Sequence, residues 1–214
     1  MACAICQTRR PRRFCPGVNG EICSICCGTS REVTVDCPFT CEYLQEARRH
    51  EKPGQVDPAS MPNQDIKVTE RFIEQHAQLM TAVSFSIVRA ALDTPGVVDL
   101  DVREALDSLV KTYRTLQSGV HYEPMPQNPL AAGVHRAVQS GLAEFRKREQ
   151  EEAGMVRTRD ADILGVLVFL QRLEYDWNNG RRRGRAFLDR IANFLYSEVA
   201  PVAEEPPASS LIVP

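Results

Sequence analysis

Eight cysteines lie between Cys3 and Cys41, and none follows. Their spacing is C-x2-C-x8-C-x7-C-x2-C-C-x9-C-x3-C. Thiolates are soft ligands, and four of them close a tetrahedral Zn2+ site that leaves no position for water or substrate. Eight thiolates satisfy two such ions, whereas a single ion would strand four of them. The count therefore predicts two structural zinc ions. In a reducing compartment a cluster of this kind points to metal rather than to disulfides.

The adjacent pair Cys26–Cys27 decides how the ligands divide. Neighbouring side chains point in different directions, so one ion does not comfortably take both. One partition gives Cys3, Cys6, Cys23 and Cys26 to one ion, and Cys15, Cys27, Cys37 and Cys41 to the other. The alternative exchanges Cys26 and Cys27. Either way the two sites interleave along the chain as a cross-brace.

Short elements must hold these ligands. "CAIC" reads as a knuckle. Residues 12–23 read as a hairpin, turning at the Pro-Gly and Asn-Gly signals of Pro16–Gly20. Gly28 follows the cysteine pair, where a knuckle favours positive φ. "EVTVD" (32–36) alternates like a strand. Pro38 suits a first helical position, which would place Cys37 and Cys41 one turn apart on one face. The apolar residues available to this unit are few: Ile5, Phe14, Ile22, Ile25, Val33, Val35, Phe39, Tyr43 and Leu44. A unit of about 50 residues with so small a core needs a staple, and metal would supply one.

The stretch "RFCPGVNGEICSICC" resembles the HIT-type and MYND-type two-zinc fingers, relatives in layout of RING domains. The matching positions are Cys3, Cys6, Phe14, Cys15, Pro16, Cys23, Ser24 and Cys27. Val18 lies near the place where those fingers carry a further cysteine, and Cys37 and Cys41 replace their terminal His/Cys pair. The resemblance covers the first 50 residues. It implies a protein-interaction module.

Two arginine clusters could contact phosphate: Arg9, Arg10, Arg12 and Arg13, then Arg181, Arg182, Arg183 and Arg185. Arginines near thiolate-bound zinc also have a plainer use. Residues 1–50 hold seven arginines against five acids, and eight thiolates with two Zn2+ turn that excess negative. The chain as a whole carries a net charge of −2, which gives no global field toward nucleic acid or an anionic membrane. His50 could stand in for a sulfur ligand, although eight thiols already fill two sites. His76, on an apolar stripe, reads as a core histidine. His121 and His135 show no partner arrangement for catalysis. No phosphate-binding glycine loop, H-E-x-x-H helix or nucleophile elbow is present.

Beyond the cysteines the period is helical. Residues 51–63 read as a linker, 64–199 as an all-α domain of about five helices, and 200–214, rich in proline, as a disordered tail. The helices are expected at about 65–93, 100–118, 129–152, 158–177 and 184–199. Asp99 or Asp101 is expected to cap the second, and Asn128 with Pro129 opens the third. The fourth is apolar over most of its circumference and belongs in the centre. The expected fold is thus a small zinc-stabilised α+β cross-brace finger followed by a helical bundle. No apolar run is long enough to span a bilayer or to act as a signal peptide, so a cytoplasmic protein without membrane contact is expected. The expected function is that of a non-enzymatic adaptor or regulator that binds a partner protein. A nucleic-acid-associated factor is the second reading.

Overall fold

The computed structural model describes residues 2–51 and 56–199. The expectation of disorder at 200–214 and part of the expected linker lie outside the described residues. The chain is mostly helical with one small sheet. In order, the elements are β1 (Arg13–Cys15), β2 (Gly20–Ile22), α1 (Ser24–Ser30), α2 (Glu42–Arg49), α3 (Glu70–Gln75), α4 (Ala77–Asp93), α5 (Asp99–Gln117), α6 (Pro129–Ala153), α7 (Asp160–Trp177) and α8 (Ala186–Val199). A short 3-10 turn spans Pro58–Ser60.

Two cores follow from the apolar pattern. The larger joins α4 to α8: α5 packs on α6 and α7, and α4 on α6 and α8. Its fully buried side chains include Leu106, Leu109, Ile163, Leu167, Leu170 and Phe187. Helix α7 buries an unbroken run from Ile163 to Val168, as its all-round apolar sequence predicts. The smaller core lies within the cysteine segment, where Ile22, Val35 and Leu44 are packed among Cys3, Cys15, Cys23, Cys26 and Cys37. Four of the residues available for that core face outward instead: Ile5, Phe14, Ile25 and Val33. Thiol groups thus occupy most of the interior of this segment.

The helical stretch expected over 65–93 is two helices. Thr69 caps α3, its Oγ1 accepting the Phe72 amide at 3.2 Å. The chain then breaks at His76, whose φ of −112° and ψ of 22° end one helix and begin the next. The break lays Phe72 against α7 at Gly165, where a Cβ would meet the ring at 2.4 Å. The His76 ring stacks on Phe72 with centroids 4.4 Å apart and lies 3.6 Å from an Asp162 carboxylate oxygen. Periodicity alone does not carry this turn, because both halves share the same stripe.

The capping at the other helix starts is partly as expected. Asn128 accepts the Leu130 amide at 3.0 Å, with Pro129 at the first helical position. Gly154, at φ 72°, ends α6 in the left-handed region that glycine favours. At α5 the N-cap position is Val98, and Asp101 reaches back to accept the Val98 amide at 2.8 Å. Asp99 does different work. Its carboxylate accepts the amides of Phe187 at 3.0 Å and Leu188 at 3.1 Å, so it caps α8 across the bundle.

Within the cysteine segment three local expectations are corrected. The residues after Cys23 form a helical turn, and Gly28 lies inside it rather than at a positive-φ knuckle. The helix near Cys41 starts at Glu42, with Cys41 as its N-cap, so Cys37 lies in the preceding coil and Pro38 is not at a first helical position. "EVTVD" contributes a single bridge, Arg31 to Val35, instead of a strand.

Candidate metal centre

A tight turn carries the first two candidate ligands, Cys3 and Cys6. The Gln7 amide donates to the Cys3 carbonyl at 2.8 Å, and Gln7 itself takes φ 54° to close the loop. The turn is tied to the hairpin by the Ala4 amide, which donates to the Glu21 carbonyl at 2.9 Å. Strand β2 then delivers Cys23 beside Cys3, and the Cys23 amide donates to the Cys3 sulfur at 3.2 Å. Cys23 is also the N-cap of α1, with its sulfur accepting the Cys26 amide at 3.4 Å. The cap and the candidate ligand are here the same atom.

The result is one compact group. The sulfurs of Cys3, Cys6, Cys23 and Cys26 all lie within 4.8 Å of one another. Tetrahedral ligation at a Zn–S distance of about 2.3 Å needs sulfurs roughly 3.8 Å apart, so the group fits one ion with small adjustment. Among the described residues no other set of three or more His, Cys, Asp or Glu is drawn so tight. All eight cysteines are free thiols.

The thiols of this group are electrostatically unlike. Hydrogen bonds from the Thr8 hydroxyl and the Thr8 and Arg9 amides pull Cys6 down to about 5. The Cys6 amide, opposed by burial, lowers Cys3. Burial, with the neighbouring cysteines, pushes Cys26 up to about 12. A cation resolves that conflict, since it favours every thiolate at once. Arg9 stands against the same group, and its guanidinium is held more firmly protonated by Cys23 and Cys6.

The remaining four cysteines line a second cavity. Cys15, Cys27, Cys37 and Cys41 face it together with Ile22 and Val35. Cys15 arrives on β1, opposite Gly20 across the hairpin. Cys27 follows Cys26 in α1 and turns to the other side, where its sulfur accepts from Arg13 at 3.8 Å and Arg31 at 3.7 Å. Arg13 also stacks on the Tyr43 ring at 4.2 Å. Burial raises the Cys37 thiol, the Glu32 amide opposing it. These four sulfurs share one cavity without reaching the closeness of the first group. The geometry assigns Cys26 to the first group and Cys27 to the second.

The arginines divide into engaged and exposed. Arg13 and Arg31 attend the Cys27 thiol, while Arg9, Arg10 and Arg12 are exposed. In the second cluster Arg182 and Arg183 are exposed. Arg181 pairs with Glu51 at 3.1 Å and Glu32 at 3.4 Å. Arg185 is 6% exposed. It spends its guanidinium on the Val97 carbonyl at 2.7 Å, the Cys37 carbonyl at 3.1 Å and the Asp36 carboxylate at 2.6 Å. His50 lies in an exposed contact with Glu46, 3.1 Å away.

The residue that sequence reasoning missed is Glu32. It is fully buried, takes φ 54°, and receives donors from both parts of the chain. Arg48 reaches it at 2.6 Å, Asn179 at 2.9 Å and the Arg185 amide at 2.9 Å. Nothing in the alternating pattern of "EVTVD" marks this glutamate as interior. No protein-family model, no curated protein and no solved structure matches this chain.

Proposed function

We propose that this chain is a non-enzymatic, zinc-held adaptor that works by binding a partner protein. Its N-terminal 50 residues act as a two-zinc cross-brace finger, with Cys3, Cys6, Cys23 and Cys26 on one ion and Cys15, Cys27, Cys37 and Cys41 on the other. The observation that carries this reading is the division of eight thiols into two groups of four, one of them already within 4.8 Å. Four-sulfur sites are closed and serve structure rather than catalysis. The likeness in layout to HIT-type and MYND-type fingers supports the same role.

Surface composition supports a protein partner over nucleic acid. The finger exposes Phe14 at 53% and Ile25 at 54%, apolar side chains of the kind that interfaces use. A groove where the finger meets α4 and α8 is lined by Phe39, Val88, Leu92, Leu188 and Tyr196. Of the two arginine clusters, Arg13, Arg181 and Arg185 are already engaged within the chain. No helix among the described residues is long and apolar enough to cross a membrane.

Native mass spectrometry of the purified protein tests the reading directly. Two zinc ions per chain and salt-insensitive retention of a protein partner, lost in Cys23→Ser, are the expected outcome. Steeply salt-dependent binding to DNA or RNA, abolished by alanine at Arg10, Arg12, Arg182 and Arg183, would favour the nucleic-acid reading.

A further inference from the structure

We propose that the second zinc site and the docking of the finger on the helical bundle are one coupled equilibrium, with residues 31–37 as the latch. This rests on the two-zinc reading above and adds what the second ion controls.

The latch is bracketed by ligands of that site. Cys27 precedes it and Cys37 ends it. Arg31, its first residue, donates to the Cys27 sulfur at 3.7 Å. Its turn is closed at Ser30, whose carbonyl accepts the amides of Val33, Thr34 and Val35 at 3.2, 3.1 and 3.0 Å. At Gly17 the hairpin turn touches it so closely that a Cβ would lie 2.3 Å from the Asp36 carbonyl oxygen. The path of the latch is therefore set by the second site and its hairpin.

The same seven residues hold the bundle. The Glu32 carbonyl accepts the Arg183 amide at 2.8 Å, and its carboxylate accepts the Arg185 amide at 2.9 Å. Asp36 pairs with Arg185 at 2.6 Å, and the Cys37 carbonyl accepts from Arg185 at 3.1 Å. Arg185 also grips the Val97 carbonyl at 2.7 Å, next to the start of α5. Arg48 closes the circuit by pairing with Glu32 and with Asp189 of α8, each at 2.6 Å. Glu32 keeps a left-handed backbone that a non-glycine residue adopts only when its surroundings over-determine it. Its carbonyl and its carboxylate thus hold two amides of the 183–185 segment, five residues before the Cys37 ligand. A ligand set that loses its ion releases Cys37, the end of the latch, and with it the hold of Glu32, Asp36 and the Cys37 carbonyl on Arg185.

Coupling of this kind is reciprocal: what metal does to docking, docking must do to metal. The test uses full-length zinc-loaded protein, with ions counted by native mass spectrometry and amide hydrogen exchange followed by fragment analysis. Graded chelation to one ion, or Cys41→Ser, is expected to speed exchange at Arg183 and Arg185 by about 10-fold, within the usual range of such couplings. Amides inside α5 and α7 stay protected. In the reverse direction, Glu32→Gln is expected to weaken retention of the second ion by about 10-fold against a competing chelator, leaving the first ion unaffected. If the protein binds two ions but exchange at Arg183 and Arg185 is unchanged with one ion removed, the coupling is wrong and the two-zinc reading stands. Equal effects of Glu32→Gln on both ions, or none on either, would also overturn it. If wild-type protein binds fewer than two ions, both ideas fall together.

Discussion

Cys26 packs with Cys3 and Cys23, while Cys27, the next residue, opens onto the cavity of Cys15, Cys37 and Cys41. A single helical turn achieves this, because successive residues on α1 point about 100° apart. Under the proposed two-zinc reading, the consequence is separable loss of metal. Cys26→Ser and Cys27→Ser are each expected to lower the zinc count from two to one. They should differ in where order is lost: the Cys3–Arg9 turn for the first, and residues 31–37 for the second. Native mass spectrometry with hydrogen exchange checks both, and identical exchange maps would refute the division.

Metal removal should act unevenly on the chain. The buried aliphatic residues of the cysteine segment are Ile22, Val35 and Leu44, too little to hold about 50 residues by themselves. Structural zinc supplies on the order of 10–16 kcal/mol of apparent binding free energy per ion. Complete chelation is expected to unfold residues 2–50 and to leave α4 to α8 helical. Circular dichroism retaining most of its helical signal, with proteolysis confined to the N-terminal segment, is the expected pair of results. A protease-resistant N-terminal segment in metal-free protein would sink the zinc reading.

The cysteine spacing made the first thiol group legible because the grouping follows from a count and from the divergence of neighbouring side chains, both present in the linear sequence. Helices α5, α6 and α7 were legible for a similar reason, since their period and the Asn128–Pro129 start are local. What the sequence hid is pairwise and distant. Glu32 sits in an alternating stretch that looks like a short strand, yet its partners Asn179 and Arg185 lie about 150 residues away. The break at His76 was hidden because it serves the contact of Phe72 with Gly165 on another helix. The arginine run at 181–185 looks basic and exposed, and only the fold reveals that Arg185 is interior.

Asp99 should give the protein an acid-side stability gain. Burial, against the opposing Phe187 and Leu188 amides, pushes its carboxyl up to about 7 from its ordinary value of 3.8. Between those values the folded chain keeps a proton that the unfolded chain releases. Asp99 therefore stabilises the fold more at pH 4 than at pH 7, and its contribution falls as pH rises through that window, at up to ~1.4 kcal/mol per pH unit. Glu174, also raised by burial, acts in the same direction, while His135, lowered by burial, acts in the opposite one below its ordinary value of 6.5. The diagnostic is the difference between wild type and Asp99→Asn in urea unfolding of the helical signal across pH 5.5–8. The variant is expected to show a shallower fall toward high pH. Parallel curves would mean that Asp99 is ionised throughout.

Gly165 offers a test of how α3 is held. An alanine there ordinarily favours a helix by about 1 kcal/mol over glycine. In this chain its Cβ would fall 2.4 Å from the Phe72 ring tip and 3.0 Å from two further ring carbons. Phe72 is braced by the His76 ring at 4.4 Å, so it has little freedom to retreat. Overpacking of this kind costs about 1–3 kcal/mol and outweighs the propensity gain. Gly165→Ala is therefore expected to lower the urea midpoint. Phe72→Leu, which shortens the ring to a branched chain, should recover much of that loss when combined with it, although it destabilises the wild-type background by leaving a gap. The two changes are in contact, so the interaction free energy in a double-mutant cycle should exceed about 0.5 kcal/mol. Additive effects would show that Phe72 does not rest on Gly165, and the reason given for the break at His76 would fail with it.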